Sequence, residues 1–450
     1  MLLLAQNPAA LDAFLQKASV SHAAVSLKAV DLKTGTVIAS YNEKTAITPA
    51  SNMKIITSST ALDILGEDFY FETPLIYDGV IENTTLTGDL YIKGAGDPTL
   101  GSEFLGDDKE SFLKTWLIAL NDAGIKSVSG DIIVLDQLFG YEGVSPKWML
   151  EDMGTYYGPG IYGISVFDNM SRFYVQSGAP GTEVKILSVK PQLELSITNE
   201  MKAAEDNSGE SGIFGLPFSN ERRLYGTVPS NRASYTVKSD IPDPGLLLAQ
   251  YFHTYLQNNG ISVSGKATTY RLNPKLPQTE KKIGSVYSPN LSSIVREINV
   301  ESNNHYIEHI YKLLTLLRGI DIQEYWKEKG LDSNALFMFD GSGLSSSNAL
   351  SAGFIIDILT YMDKKYGTQG AFYKSLPIAG KEGTVASLLK NTPLAGKAHL
   401  KSGSITLVQS YSGYIEKGNN RYAVSLIINN FSGKRADLRK DIEELLVGLF

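Results

Sequence analysis

The chain has 450 residues, 43% hydrophobic and 20% charged, which suits a folded protein of two or three domains at about 150 residues each. Its net charge of −7 argues against a nucleic-acid partner, and no apolar run reaches the ~18 residues that span a bilayer. The absence of cysteine excludes thiol catalysis, disulfide staples and thiolate metal sites.

Met1-Leu2-Leu3-Leu4-Ala5-Gln6 looks like the tail of a secretory apolar region and its cleavage site without the basic leader, a pointer to export; an ordinary apolar start packed on the body fits as well. A short helix bearing Leu11, Phe14 and Leu15 precedes two strands over 25–41 around the turn Lys33-Thr34-Gly35. Pro49 opens a helix that runs to Leu65, with Met53, Ile56, Ala61, Ile64 and Leu65 at helical spacing and Gly66 as its C-cap. That helix is apolar on nearly every side and is therefore expected to be buried. Over 76–285 the texture turns to short β-like runs broken by Gly, Pro, Asn and Asp, with 208–229 polar and loop-like, as in an outlying module or flap. Helical texture returns over 291–317. A strand pair around Lys417-Gly418-Asn419-Asn420 follows, then an amphipathic helix carrying Leu438, Ile442, Leu445, Leu446 and Leu449. The two ends read as one α/β domain split by a β-rich insertion, without tandem repeats.

Ser51-Asn52-Met53-Lys54 places a hydroxyl and an ammonium about one turn apart on the buried helix. A lysine removed from water loses affinity for its proton, and a neutral amine beside a hydroxyl is a general base for a serine nucleophile. The spacing alone is common: Ser111 to Lys114 and Ser387 to Lys390 repeat it, in segments where the lysine is expected to be exposed. Two further elements follow in the order used by penicillin-recognising serine enzymes. Ser302-Asn303-Asn304 brings a second hydroxyl and a carboxamide at a helix start, and Lys401-Ser402-Gly403-Ser404 brings a cation and hydroxyls on a strand. Gly403 lets that strand approach a ligand closely. The literal Lys33-Thr34-Gly35 precedes the nucleophile and is assigned to its turn.

In this order of motifs the sequence resembles the class C low-molecular-mass penicillin-binding proteins, D-alanyl-D-alanine carboxypeptidases and endopeptidases of peptidoglycan. The likeness spans nearly the whole chain and includes Gly94-Ala95-Gly96-Asp97-Pro98, Asp340-Gly341-Ser342-Gly343-Leu344-Ser345, Leu376-Pro377-Ile378-Ala379-Gly380 and Gly383-Thr384. The family's large insertion between the first two motifs matches the roughly 250 residues between Lys54 and Ser302. The resemblance implies a multi-domain α/β (α+β) fold: a penicillin-binding, β-lactamase-like transpeptidase domain over 1–75 and 286–450, with two smaller inserted domains, 76–168 with 263–285 and 169–262.

It also implies roles. Ser51 is the acylated nucleophile, Lys54 its base, Ser302 the proton relay to the leaving group, and Asn304 the group that holds the substrate amide. Lys401 pairs with Ser302 and with the substrate's terminal carboxylate, which Ser402 and Ser404 also bind. The backbone N–H groups of Ser51 and Ser404 form the oxyanion hole. Most relatives have Thr where Ser402 and Ser404 stand, but the hydroxyl is kept. In Trp148-Met149-Leu150-Glu151-Asp152-Met153 and the following Tyr156-Tyr157, Asp152 and Tyr157 fit a family pocket for a diaminopimelate side chain, which Leu344 and Ile405 also line. Glu151 in place of Asp152, or a surface carboxylate beside anchoring aromatics, are the alternatives. Implied partners are peptidoglycan stem peptides and β-lactams, in the periplasm or cell wall, with no cofactor or metal.

Three other readings compete. His305-Tyr306-Ile307-Glu308-His309 spells the H-x-x-E-H of inverted zinc peptidases; in the serine-enzyme reading Glu308 and both histidines are supporting or surface groups. A β-lactamase shares the chemistry but lacks the large insertion. A peptidoglycan-binding protein without turnover is the third.

Overall fold

The computed structural model describes residues 8–106, 108–206 and 208–450; the secretory reading of residues 1–6 lies outside them. The chain divides into two compact units, one made of the residues up to Phe69 with Asn290–Phe450, the other of Tyr70–Pro289.

The first unit is built on a five-stranded antiparallel sheet in the order Ala398–Ile405, Val408–Lys417, Asn420–Asn429, Ala24–Asp31, Val37–Tyr41. Chain ends and sheet centre meet because the first and last strands in sequence, Ala24–Asp31 and Asn420–Asn429, pair along eight residues from Ala24↔Asn429 to Asp31↔Tyr422. Strand alternation sorts side chains to two faces. One face presents Leu27, Ala29, Leu400, Tyr411, Val424, Leu426 and Ile428, buried with Phe14 of the helix Pro8–Leu15 and with Leu438, Ile442 and Leu446 of the helix Arg435–Leu449. The other face carries small polar residues: Ser26, Ser410, Ser412 and Ser425, all fully buried. Those hydroxyls dock a helical layer. Ser410 donates to the Pro49 carbonyl (2.6 Å), Asn52 Nδ2 donates to Ser412 (2.7 Å), and the Ala352 amide donates to Ser26 at the start of the helix Ala352–Tyr366.

The second unit is built from short strands, as expected, but it also holds two helices that composition did not reveal, Ser111–Asp122 and Pro244–Asn258. They pack Phe112, Trp116, Leu248 and Phe252 against a mixed sheet ordered Ala267–Thr269, Ile132–Leu135, Leu90–Lys93, Glu72–Tyr77, Lys281–Tyr287. A separate apolar cluster joins Phe173, Val175, Ile213, Leu224 and Val237. The 208–229 segment is not loop-like throughout: it contains the strands Ser211–Phe214 and Glu221–Val228, paired antiparallel. The run Asn220-Glu221-Arg222-Arg223 reads as polar because alternation hides one residue in two. Arg222 is fully buried and donates to Asp240 at 2.8 Å, whereas Arg223 reaches Glu200 at the surface.

Candidate active site

Ser51 does not sit on the α-helix itself, as the sequence suggests, but in the 3₁₀ turn Ala50–Asn52 that leads into the helix Met53–Leu65. Ala50 takes φ 48°, a left-handed conformation, and the turn is held from the sheet by the Ser410 bond to Pro49. The tighter turn still leaves Ser51 three residues before Lys54, and Lys54 Nζ lies 3.0 Å from Ser51 Oγ. Lys54 is fully buried, with every helix residue from Met53 to Leu62 buried around it. Burial separates it from the two look-alikes, since Lys114 and Lys390 are exposed.

Two more acceptors fix the Lys54 ammonium: Asn304 Oδ1 at 2.6 Å and the Ser342 carbonyl at 2.8 Å. Desolvation lowers its proton affinity to about 7, against the opposing charges of Glu308 and Asp340. Asn304 opens the helix Asn304–Lys312, capped by Asn303, whose side chain accepts from the Tyr306 amide (3.1 Å). Between that helix and the preceding Leu291–Glu301, Ser302 takes the left-handed conformation (φ 60°), which ends one helix and permits the next to start in a new direction. A non-glycine residue there is an outlier of the kind found at functional sites.

Ser302 Oγ accepts from Lys401 Nζ at 2.9 Å, and Lys401 also donates to the Ser402 carbonyl (2.8 Å). Lys401 is fully buried; desolvation first, then the neighbouring Lys54 charge, hold its proton affinity well below the lysine range. Two ammonium groups in one desolvated site disfavour each other's charge, so the arrangement favours at least one neutral amine.

Lys401 lies on the edge strand of the sheet. The segment 377–379 covers that edge only at its start, through the Leu400 amide to the Pro377 carbonyl (2.9 Å) and the Ala379 amide to the Ala398 carbonyl (2.8 Å). That is what Leu376-Pro377-Ile378-Ala379-Gly380 does locally: it caps the edge as far as Leu400 and leaves Lys401 to Ile405 beyond it. Gly403 is required here by close approach, because a Cβ would stand 2.6 Å from the Pro49 carbonyl oxygen and 3.0 Å from the Asn52 nitrogen. Ser404 is exposed and Ile405 half-buried. Ser402 is buried and donates to Thr384 Oγ1 at 2.7 Å, so the Gly383-Thr384 motif meets the last motif at its second residue.

The loop Asp340 to Ser345 forms the remaining wall. Asp340 accepts from the Gly343 and Ser345 amides (2.7 Å each) and from Asn348 (2.8 Å), which folds the loop tightly. Gly343 (φ 83°) abuts the Ser51 turn: a Cβ would fall 1.9 Å from the Ala50 carbonyl oxygen. Leu344, next in sequence, is half-buried.

The histidines of the H-x-x-E-H run are buried, not surface groups. Their Nε2 atoms lie 3.0 Å apart, and burial pushes His305 down to about 3. Glu308, also buried, accepts instead from the Ser342 amide (2.7 Å). Among the described residues no group of three or more His, Asp or Glu is arranged to hold a metal ion.

Residues 7–449 match the D-Ala-D-Ala carboxypeptidase 3 (S13) family. The chain belongs to that family. Membership agrees with the resemblance read from the motif order and makes this chain a serine-type D-alanyl-D-alanine peptidase, a hydrolase. A D-alanyl-D-alanine carboxypeptidase of Actinomadura sp. (strain R39) is 26% identical over 444 residues, 94% of this chain and 81% of that one. The D-alanyl-D-alanine carboxypeptidase DacB of Haemophilus influenzae is 23% identical over 426 residues, covering 91% and 86%. The crystal structure of penicillin binding protein 4 from Haemophilus influenzae shares the fold, with a TM-score of 0.82 at 22% identity over 97% of this chain and 98% of that one.

Within this S13 chain, the residues proposed from sequence for acylation gather in the first unit, while Asp152 and Tyr157 belong to the second. Asp152 is 6% exposed and ends the 3₁₀ turn Leu150–Asp152, its Oδ2 accepting from the Met149 amide (2.9 Å); Glu151 beside it is exposed. The Tyr157 phenol is pushed up by burial and then by the Asp152 charge. Sequence reasoning missed Thr384 as the partner of Ser402 and left Glu308 either a zinc-site residue or an unspecified supporting or surface group. For Thr384 the signal was present in the quoted Gly383-Thr384; for Glu308 it was its place one helical turn after Asn304.

Proposed function

We propose that Ser51 attacks the carbonyl of the penultimate D-alanine while its proton passes to the neutral amine of Lys54. The tetrahedral oxyanion is received by the backbone N–H groups of Ser51 and Ser404, each worth about 3 kcal/mol in comparable holes. The leaving amine takes its proton through Ser302, held by Lys401, and the resulting ester on Ser51 is hydrolysed by water. Asn304 positions the substrate amide. Lys401, Ser402 with its partner Thr384, and Ser404 receive the terminal carboxylate, and the edge strand beyond Leu400 pairs with an extended peptide. The observation that carries this reading is the fully buried Lys54 at 3.0 Å from Ser51, beside a second buried lysine bonded to Ser302.

On this reading the substrates are stem peptides ending in D-Ala-D-Ala, and D-alanyl-diaminopimelate crosslinks where the same bond joins two stems. β-Lactams acylate Ser51 because their strained amide mimics the D-Ala-D-Ala backbone. Leu344 and Ile405 flank the peptide. On the insert, Asp152 and Tyr157 take the ammonium group and stem of the diaminopimelate side chain, a role supported by the carboxylate lying close enough to raise the phenol. Such substrates place the protein outside the cytoplasm, in the periplasm or wall; among the described residues no helix is long and apolar enough to cross a membrane. The insert is further proposed to comprise two modules, supported by the separation of the apolar cluster around Trp116 and Phe252 from the one around Phe173 and Leu224; because helix Pro244–Asn258 packs in the former, we propose a boundary near 241 in place of 262.

Intact-mass spectrometry after incubation with benzylpenicillin tests the assignment. The native chain gains one adduct and Ser51→Ala none. An unmodified native chain with penicillin intact overturns it, and penicillin destroyed without an adduct indicates a β-lactamase.

A further inference from the structure

Lys54 is enclosed by more than its three direct acceptors. The helix that presents Asn304 to it presents Glu308 one turn later, and Glu308 is 4% exposed. Glu308 Oε1 accepts from the Ser342 amide at 2.7 Å, and the carbonyl of that same residue accepts from Lys54 Nζ at 2.8 Å. On the far side of the next peptide, the Gly343 amide donates to Asp340. Lys54 thus rests on a carbonyl whose flanking N–H groups are both held by buried carboxylates.

The serine-peptidase reading uses neither carboxylate. Asp340 has a sufficient local task, since its bonds to Gly343, Ser345 and Asn348 fold the loop. Glu308 reaches this loop from another element, accepting from the Gly341 and Ser342 amides and from the Ser342 hydroxyl, and its charge falls within reach of the lysine. The other charged groups facing Lys54 are Asp340 from the loop and Lys401 from the edge strand. On the helices packed around it, Arg296 pairs with Glu382 and Lys365 with Asp63, while His305 and His309 meet one another.

Resting on the acylation reading above, we propose that Glu308 is a positioning residue for acylation: it seats the Ser342 carbonyl beneath Lys54 and supplies the charge that decides when that lysine releases its proton. The Glu308 charge raises the proton affinity of Lys54, so protonation of the two groups is linked; burial first and the Asp340 charge second raise the Glu308 carboxyl itself. An ionised Glu308 keeps the lysine charged to higher pH; removing that charge frees the amine at lower pH.

Glu308→Gln deletes the charge and keeps one acceptor oxygen for the Ser342 amide, with an NH2 group in place of the second carboxylate oxygen. We expect its benzylpenicillin acylation rate to follow the native profile with the rising limb moved down by about one pH unit. Glu308→Ala also loses the bond to Ser342, and its acylation is expected to fall at every pH. The direct readout is the pH titration of the Lys54 side-chain carbon resonance in lysine-labelled protein, assigned with Lys54→Arg. A Lys54 midpoint lower in Glu308→Gln than in the native chain supports the coupling; identical midpoints overturn it. Because this titration needs no turnover, a native chain inert to benzylpenicillin whose midpoint still shifts would sink the acylation reading and leave the coupling standing.

Discussion

At the scale of single residues, the site turns on where two lysine side chains end. Lys54 contacts Ser51, and Lys401 contacts Ser302, so the two hydroxyls are served by different amines. In the proposed mechanism Ser302 touches the leaving group and not the attacking oxygen. Ser302→Ala removes that relay and leaves Lys401 without one of its two oxygen partners, while Ser51 and Lys54 keep their geometry. General acid–base groups contribute about 10²–10⁴ in rate. We therefore expect acylation by benzylpenicillin to slow by about a hundredfold or more, with the adduct still forming on Ser51 after long incubation. An adduct that forms at the native rate would show that the leaving group takes its proton elsewhere. The hydroxyl, carboxamide and cation were legible in sequence because their spacing sits on recognisable helix and strand starts. What spacing could not show is the left-handed backbone of Ser302 or the carboxylates beneath Lys54, since both depend on the close packing of segments far apart in the chain.

At the scale of elements, the edge strand must come within backbone contact of the turn that carries Ser51. Gly403 makes this possible, and a methyl group there would meet Ser410 Oγ at 2.3 Å as well as the Pro49 carbonyl. Gly403→Ala forces strand and turn apart at a cost of about 1–3 kcal/mol, the usual range for overpacking a closed site. The expected outcome is a folded protein with a slightly lowered Tm and acylation reduced far more than that destabilisation explains, read by thermal unfolding beside adduct formation. Unchanged acylation would show that the strand has slack. The same elements show why the ends of the chain were readable and the insert less so. The terminal hairpin, the buried helix and the last amphipathic helix each repeat one pattern over many residues, and turns such as Lys33-Thr34-Gly35 are fixed locally, here by the Asp31 side chain accepting from the Lys33 and Thr34 amides. In the insert the strands are two to eight residues long and the helices Ser111–Asp122 and Pro244–Asn258 stand between them, so texture averaged over the region hid both. A signal for the second helix was available, with Asp243 before Pro244 as cap and first-turn proline; the Asp243 side chain accepts from the Leu246 amide. The strand Glu221–Val228 was lost for another reason, because its buried alternate positions include an arginine whose partner, Asp240, lies on a different strand.

At the scale of the molecule, the interruption of one unit by about 220 residues raises the question of what the first unit needs from the second. The insert has its own apolar cores, one around Trp116 and Phe252 and one around Phe173 and Leu224. Its two ends are neighbours, for Glu72–Tyr77 and Lys281–Tyr287 pair antiparallel, and the Ser288 amide donates to the Phe71 carbonyl at 3.0 Å. In the first unit the cut ends are adjacent as well, the Leu291 amide donating to the Phe69 carbonyl at 2.7 Å. A short glycine-rich bridge from 69 to 290 therefore closes a small loop, whose entropy cost grows only slowly with length. The side chains proposed for acylation, Ser51, Lys54, Ser302, Asn304 and Lys401, all lie in the first unit. We expect 70–289 produced alone to unfold cooperatively on heating and to gain no benzylpenicillin adduct, and the bridged remainder to be modified on Ser51. A remainder that folds, by its own thermal transition, yet stays unmodified would mean that the insert supplies part of the acylation machinery. Modification of the remainder without cleavage of D-Ala-D-Ala peptides would instead confine the role of the insert to holding the natural substrate, since a small strained amide can reach Ser51 without the contacts that a stem peptide requires.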